Sequence, residues 1–257
     1  MPAVNPAALD EKLDTIFSNP IRSGTFSREI ESLLNYYADR TRRSSAVAAA
    51  LETADTLHVP APVMRTLCAK VHRRGCRVDD EWLEAAGELW NSGLREMQLV
   101  SICMLREAPQ EKVLATASHW AAESDDPKVL ESLASEGIQS VRLSDPASIL
   151  ALAGEWIADE RTRAFGLIAL QKQVEEGVVA DLSEIFLLIS QLAAVVRGRE
   201  LDALRRLLST LGQSSPAETT AFLIEEIQAD ETRTSRLIRA LSDDFAEPFR
   251  SQLLSVL

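Results

Sequence analysis

Three clusters of arginine contain the side chains of this sequence best suited to binding an anion. Guanidinium groups bind phosphate oxygens through paired N–H donors, so each cluster could follow a nucleic-acid backbone. Two clusters adjoin predicted helix ends, where cations also offset the helix dipole, and this position alone can explain them. The third repeats every third residue, which keeps its side chains on one helix face and makes it the strongest candidate. The clusters are Arg73, Arg74 and Arg77; Arg197, Arg199, Arg205 and Arg206; and Arg233, Arg236 and Arg239.

Sequence motifs for other chemistry are missing. The chain has no glycine-rich phosphate loop, no Ser-His-Asp order and no kinase or hydrolase signature. Its three cysteines and three histidines form neither a C-x-x-C nor an H-E-x-x-H pattern, so we predict reduced thiols, no metal and no cofactor. These residues are Cys68, Cys76, Cys103, His58, His72 and His119.

The charge is distributed unevenly along the 257 residues, which have a net charge of −12. Residues 1–106 carry 13 Lys and Arg against 14 Asp and Glu, whereas residues 107–257 carry 14 against 25. An acidic second half argues against indiscriminate nucleic-acid binding, which depends on neutralising phosphates, and favours a protein-interaction scaffold as one alternative. Neither a secretory leader nor an apolar run long enough to cross a bilayer is found, so we predict a cytoplasmic monomer that has no contact with membranes.

A succession of amphipathic helix patterns must position these side chains. Asp126-Pro127, Asp145-Pro146 and Ser215-Pro216 each place a capping residue before a proline at the first helical position. Helices beginning near Pro109, Pro127 and Pro146 recur at intervals of 18 and 19 residues. A two-helix repeat of 37 residues lies between the ~34 of tetratricopeptide arrays and the ~40–47 of HEAT arrays. Since the tetratricopeptide signature is missing, we predict an all-α, HEAT-like α-α superhelix.

Glycines and tryptophans refine this prediction. Gly137, Gly177 and Gly212 stand where we expect a helix to end at a residue in the left-handed conformation. The four tryptophans lie on apolar stripes, so we predict that they belong to the core. The polar stretch Ser18–Ser27 predicts a loop, with residues 1–25 forming an N-terminal helix and loop and residues 26–257 forming the repeat domain.

Four segments, in order along the chain, resemble the AlkD-type DNA alkylation repair proteins, which are HEAT-like-repeat alkylpurine DNA glycosylases. His58–Val71 is similar to the pattern "G-V-x-x-P-x-x-R-x-L", with His58 in place of the glycine. Glu88–Leu105 matches "LW-x-x-x-x-x-E-x-Q/R" through Leu89, Trp90, Glu96 and Gln98. Glu155–Leu170 resembles a third segment through Trp156, Glu160 and Arg163, and Leu201–Glu226 resembles a fourth that here lacks its tryptophan.

The resemblance implies a C-shaped array whose basic concave face holds duplex DNA with N3- or N7-alkylated purines. It also implies a catalytic carboxylate beside electron-rich aromatic rings, with an arginine from the following repeat. Glu131 falls where the family's aspartate would align, Lys128 falls near a tryptophan position, and Arg163 matches the arginine. The stretch Ser124–Ile138 has no aromatic residue, so we expect a diverged member of the family.

Three functions therefore stay open. The first is a protein that binds duplex or damaged DNA with weak or no base excision, through Arg163, Arg197, Arg199, Arg233, Arg236 and Arg239. The second is an active glycosylase that hydrolyses the N-glycosidic bond of alkylated purines, with Glu131 and Arg163 as catalytic residues. The third is a HEAT-like scaffold that binds proteins and no nucleic acid.

Overall fold

The fold is all-α, as predicted, and helices account for 80% of the structure. Across the described residues there is no β-strand, only an isolated parallel bridge between Asp55 and Leu94. Each helix packs on helices a few positions away in the chain order, and this all-α arrangement fits a helical repeat solenoid. A computed structural model describes residues 5–22, 24–38, 55–74, 80–179, 181–190, 192–229 and 231–257.

The chain forms two compact units, Met1–Ser140 and Val141–Leu257. In the first unit, α1 packs on α2 and α3, and α8 contains the point of division. The separate assignment of residues 1–25 and 26–257 stays a prediction. The helices of this unit are α1 (Pro6–Ser18), α2 (Thr25–Tyr37), α3 (Ala61–Arg74), α4 (Asp80–Asn91), α5 (Arg95–Leu105), α6 (Gln110–Glu123) and α7 (Pro127–Ser132), and α8 (Gln139–Ser144) spans the division.

Helix α5 is the centre of the first unit, and nearly all of its residues are buried against α3, α4 and α7. A π-helical turn, Leu133–Gly137, directly follows α7. The four tryptophans are at most 4% exposed, which confirms their predicted place in the core. Trp90 and Trp120 stack in parallel with ring centroids 4.5 Å apart.

The second unit is built around α10, which packs on α9 and α13. Gly166 of α10 allows this close approach, because a Cβ there would lie 3.0 Å from Cβ of Trp156. The helices are α9 (Pro146–Ala158), α10 (Arg163–Glu175), α11 (Leu182–Ile189), α12 (Leu192–Val195), α13 (Gly198–Ser214), α14 (Pro216–Ala229), α15 (Glu231–Leu241) and α16 (Phe249–Ser255), with a 3-10 turn at Ser242–Asp244.

The helix starts at Asp126 and Asp145 follow the predicted capping chemistry, whereas two of the predicted stops are wrong. Asp126 accepts a hydrogen bond from the backbone N–H of Lys128, and Asp145 caps α9 in the same way through Ser148. Gly177 has the expected positive φ of 66°. Gly212 instead lies inside α13, where the ring of Phe245 occupies the space of a Cβ. Gly137 lies in the π-helical turn and also lacks a positive φ.

Candidate nucleic-acid interface

A cavity of about 410 Å³ in the second unit brings three arginines together. Its walls come from α12, the start of α13 and α15, and they contain no carboxylate. We call this cavity the arginine pocket. An anion entering it would meet cations against apolar walls, where less water screens the attraction. The pocket is lined by Arg197, Arg205 and Arg236 with Ala193, Val196, Leu201, Leu237 and Ala240.

Two residues of the pocket, Arg197 and Arg236, are among the predicted DNA-binding residues. Arg197 lies between α12 and α13, and its guanidinium donates hydrogen bonds to the carbonyls of Val196 and Ala194. This arrangement uses the free carbonyls of a helix end to hold a cation. Arg236 is exposed on α15, next to the pocket residues Leu237 and Ala240.

Sequence reasoning left Arg205 out of the DNA-binding residues. Its Nε is buried and has no hydrogen-bond partner among the described residues. It also lines a second cavity of about 560 Å³, which contains Glu175, Asp202 and Asp244. The sequence signal was present: Leu201 and Arg205 are four residues apart and therefore lie on one face of α13. What makes that face a pocket wall is α15, which is distant in sequence.

The other predicted arginines of the second unit lie outside the pocket lining. Arg239 is exposed one turn after Arg236, and within the described part of the chain neither forms an ion pair. Arg199 is half-buried in the first turn of α13. Arg233 belongs to α15, but its side chain lies outside the described residues, as does Arg77 of the first cluster.

Arg163 makes several bonds within the second unit. Its Nε donates to the carbonyl of Ile157 at 2.8 Å, and Nη2 donates to that of Ala158 at 3.4 Å. Nη1 lies 3.4 Å from Oε1 of Glu200. These bonds join the end of α9 and the start of α13 to α10, and they give Arg163 a structural role. Its assignments to catalysis and to DNA binding remain predictions, and a phosphate would have to take the place of Glu200.

Glu131 lies in the first unit, half-buried on α7 and just before the π-helical turn. Asp126 positions this helix: it caps the first turn and also forms a buried ion pair with Arg95 of α5. A fixed helix start gives Glu131 a defined place. Its predicted partner Arg163 belongs to the second unit, and the catalytic assignment of Glu131 stays a prediction.

Two residues of the family-like segments have clear structural roles. Glu96 is 5% exposed and accepts hydrogen bonds from Oγ1 of Thr56 at 2.7 Å and from the backbone N–H groups of Leu57 and Val59 at 3.0 and 3.3 Å. It thereby fixes the chain ahead of α3. His58 has a φ of 53°, in the left-handed region that favours glycine, which explains why the pattern has glycine there.

The family model described as "DNA alkylation repair enzyme" matches residues 30–239, more than four fifths of the chain. No curated protein and no solved structure shows a significant match. Within the described ranges no three His, Cys, Asp or Glu side chains are placed to bind a metal ion, and no helix is long and apolar enough to cross a membrane.

Proposed function

Because the chain belongs to the DNA alkylation repair enzyme family, we propose that it binds alkylated or distorted duplex DNA with weak or no base excision. The observation that carries this proposal is the arginine pocket, where Arg197, Arg205 and Arg236 converge without a carboxylate. Arginine side chains that line one pocket offer the positive charge and the paired N–H donors that a backbone phosphate binds. The chain has a net charge of −12, so a pocket lined by three cations and no carboxylate differs in charge from the protein as a whole.

The binding surface extends from the pocket along α15. Arg239 follows Arg236 by one turn, and Arg233 precedes it by three residues. We propose that these residues contact successive phosphates, while Arg199 and Arg163 contribute near the starts of α13 and α10. The acidic remainder of the second unit would repel DNA elsewhere and thereby restrict binding to this surface.

Weak base excision follows from the composition of the segment around Glu131. An alkylated purine is cationic, and its departure develops positive charge on the sugar, which a carboxylate and aromatic rings stabilise. Residues 124–138 contain no aromatic side chain, which forfeits roughly 0.5–2 kcal/mol of cation–π stabilisation per ring. Glutamate also carries its charge one methylene further out than aspartate, and a displacement of about 1 Å can cost on the order of 10²-fold in rate.

The test is fluorescence anisotropy with a labelled duplex, repeated from low to physiological salt. We expect binding whose log affinity falls with log salt, by roughly 0.9 for each phosphate neutralised. Arg197→Gln combined with Arg236→Gln should lower that slope by about one to two and weaken binding at least tenfold. Arg28→Gln, which changes an exposed arginine of the first unit, is the matched control. No binding at low salt, or a slope near zero, would exclude the proposal and leave the protein-interaction scaffold.

An active glycosylase is the second candidate, supported by the family and by the position of Glu131. The fixed start of α7 and the π-helical turn after it resemble the local irregularities often found at functional sites. Release of 7-methylguanine from methylated DNA tests this candidate. Release by the wild type that falls at least tenfold in Glu131→Gln would support it. Equal release by both proteins would show that Glu131 is not catalytic.

We further propose that the protein acts as a cytoplasmic monomer without metal or cofactor. The chemistry assigned to it needs neither, because an alkylated purine is already an activated leaving group. Light scattering of the purified chain would test the monomer, and activity or binding that survives a chelator would test the absence of a metal.

A further inference from the structure

Two cysteines meet in the core of the first unit. Cys68 of α3 and Cys103 of α5 lie with their Sγ atoms 2.6 Å apart, and both are free thiols. This separation is little more than the S–S bond of about 2.05 Å. The two residues are 35 positions apart in the sequence and come from helices that pack directly on each other. Neither the DNA-binding proposal nor the candidate catalytic residues use this pair.

We propose that Cys68 and Cys103 form a reversible disulfide when the protein meets hydrogen peroxide. The two sulfurs are already in contact, at a separation about 0.5 Å longer than an S–S bond. Such a bond would make the first unit a redox-responsive element, independent of whether the second unit binds DNA. The third cysteine, Cys76, lies outside the described residues. It is the thiol expected to stay reduced, and it serves as the control in the test below.

The burial of the two thiols sets the order of events. Cys103 is 1% exposed, whereas Cys68 is half-buried and more open to a small oxidant. The hydrogen bond with Cys68, together with burial and the nearby Glu136 carboxylate, raises the pKa of the Cys103 thiol well above its usual range. Cys103 therefore keeps its proton. Because Cys68 is the more exposed of the two thiols, it reacts with the oxidant first.

The reaction balances with one peroxide for each disulfide. Sγ of Cys68 attacks one oxygen of hydrogen peroxide, the O–O bond breaks, and the departing hydroxide takes up the Cys68 thiol proton and leaves as water. Cys68 is then a sulfenic acid. The sulfur of Cys103 attacks Sγ of Cys68, the S–O bond breaks, and the thiol proton of Cys103 leaves with the hydroxide as a second water. Two thiols have been oxidised by two electrons and one peroxide has been reduced.

The disulfide would strengthen the centre of the first unit. Helix α5 carries Arg95 and Glu96, which hold the start of α7 and the segment before α3. A covalent link between α3 and α5 restricts the unfolded chain across a loop of about 35 residues. We expect the thermal midpoint of the oxidised protein to rise by about 5 °C or more, and to return on reduction.

Mass spectrometry of the full chain provides the direct test. After a stoichiometric amount of hydrogen peroxide, a non-reducing tryptic digest should contain the peptide of residues 66–70 linked to that of residues 96–106. Thiol titration of the denatured protein should fall from three groups to one. Cys76→Ser should form the same link, whereas Cys68→Ser and Cys103→Ser should not. Circular dichroism of each variant confirms that it is folded.

Several results would overturn the proposal. Three titratable thiols after oxidation, a link that includes Cys76, or disulfide-linked dimers would each contradict a Cys68–Cys103 bond. Stable sulfenic or sulfinic acid at Cys68 without a linked peptide would do the same. DNA affinity plays no part in these readouts, so they stand apart from the test of the arginine pocket.

Discussion

Replacing Glu96 by glutamine should destabilise the first unit by about 3 kcal/mol. Oε1 of Glu96 accepts from Thr56 and Val59, and Oε2 accepts from Leu57, all from one segment. Glutamine retains a single oxygen, so its amide N–H₂ must face one of the N–H donors. The hydrogen bond between that donor and the charged carboxylate, worth roughly 1.5–3 kcal/mol, is therefore lost. The two remaining bonds lose their charge assistance, which about halves them.

Urea unfolding followed by tryptophan fluorescence measures this loss. With a typical slope of roughly 1–3 kcal/mol/M, the midpoint should fall by about 1 M or more. Glu84→Gln on α4 is the matched control, because Glu84 is exposed and the same chemical change should alter stability by less than about 0.5 kcal/mol. A Glu96→Gln protein that unfolds at the same urea concentration as wild type would refute the structural role assigned to this glutamate.

Three further outcomes test other local features of the chain. His58→Gly should be about 1 kcal/mol more stable than His58→Ala in thermal unfolding, because both lose the imidazole and only glycine relieves the positive φ. Glu176→Gln should lower stability by about 2–4 kcal/mol in calorimetry, since Arg142 is fully buried and donates two hydrogen bonds to that carboxylate. Hydrogen bonds from Ser148 lower the pKa of Asp145, so its stabilising effect is present at neutral pH and is lost as the pH falls through that lowered value. The melting temperatures of wild type and Asp145→Ala should therefore differ at pH 7 and converge in acid; a constant difference would contradict this assignment.

Local chemistry explains why so much of the fold could be predicted from the sequence. The caps at Asp126 and Asp145 bond to N–H groups two or three residues away, so the sequence contains both partners. Gly212 does not end a helix. Glycine is needed there because the ring of Phe245, 33 residues later in the chain, occupies the space of a Cβ. No local pattern announces a contact of that kind.

In the candidate site, too, local features could be predicted from the sequence and long-range contacts could not. The repeat of Arg233, Arg236 and Arg239 along one helix face was visible in the sequence, and Arg236 does line the arginine pocket. The contribution of Arg205 depends on how α12, α13 and α15 come together, and helical periodicity does not encode that arrangement. Arg163 was matched by resemblance, yet its bonds to Ile157, Ala158 and Glu200 depend on the helices that surround it.

The placement of the tryptophans gives each unit its own optical signal. Trp82, Trp90 and Trp120 belong to the first unit, and Trp156 is the only tryptophan of the second. The parallel indoles of Trp90 and Trp120 are close enough for their excited states to exchange energy, whereas Trp156 has Phe165 as its ring partner. A Trp156→Phe protein would thus emit from the first half alone. Subtracting its emission from that of the unmodified protein would allow the melting of each half to be followed within one intact chain.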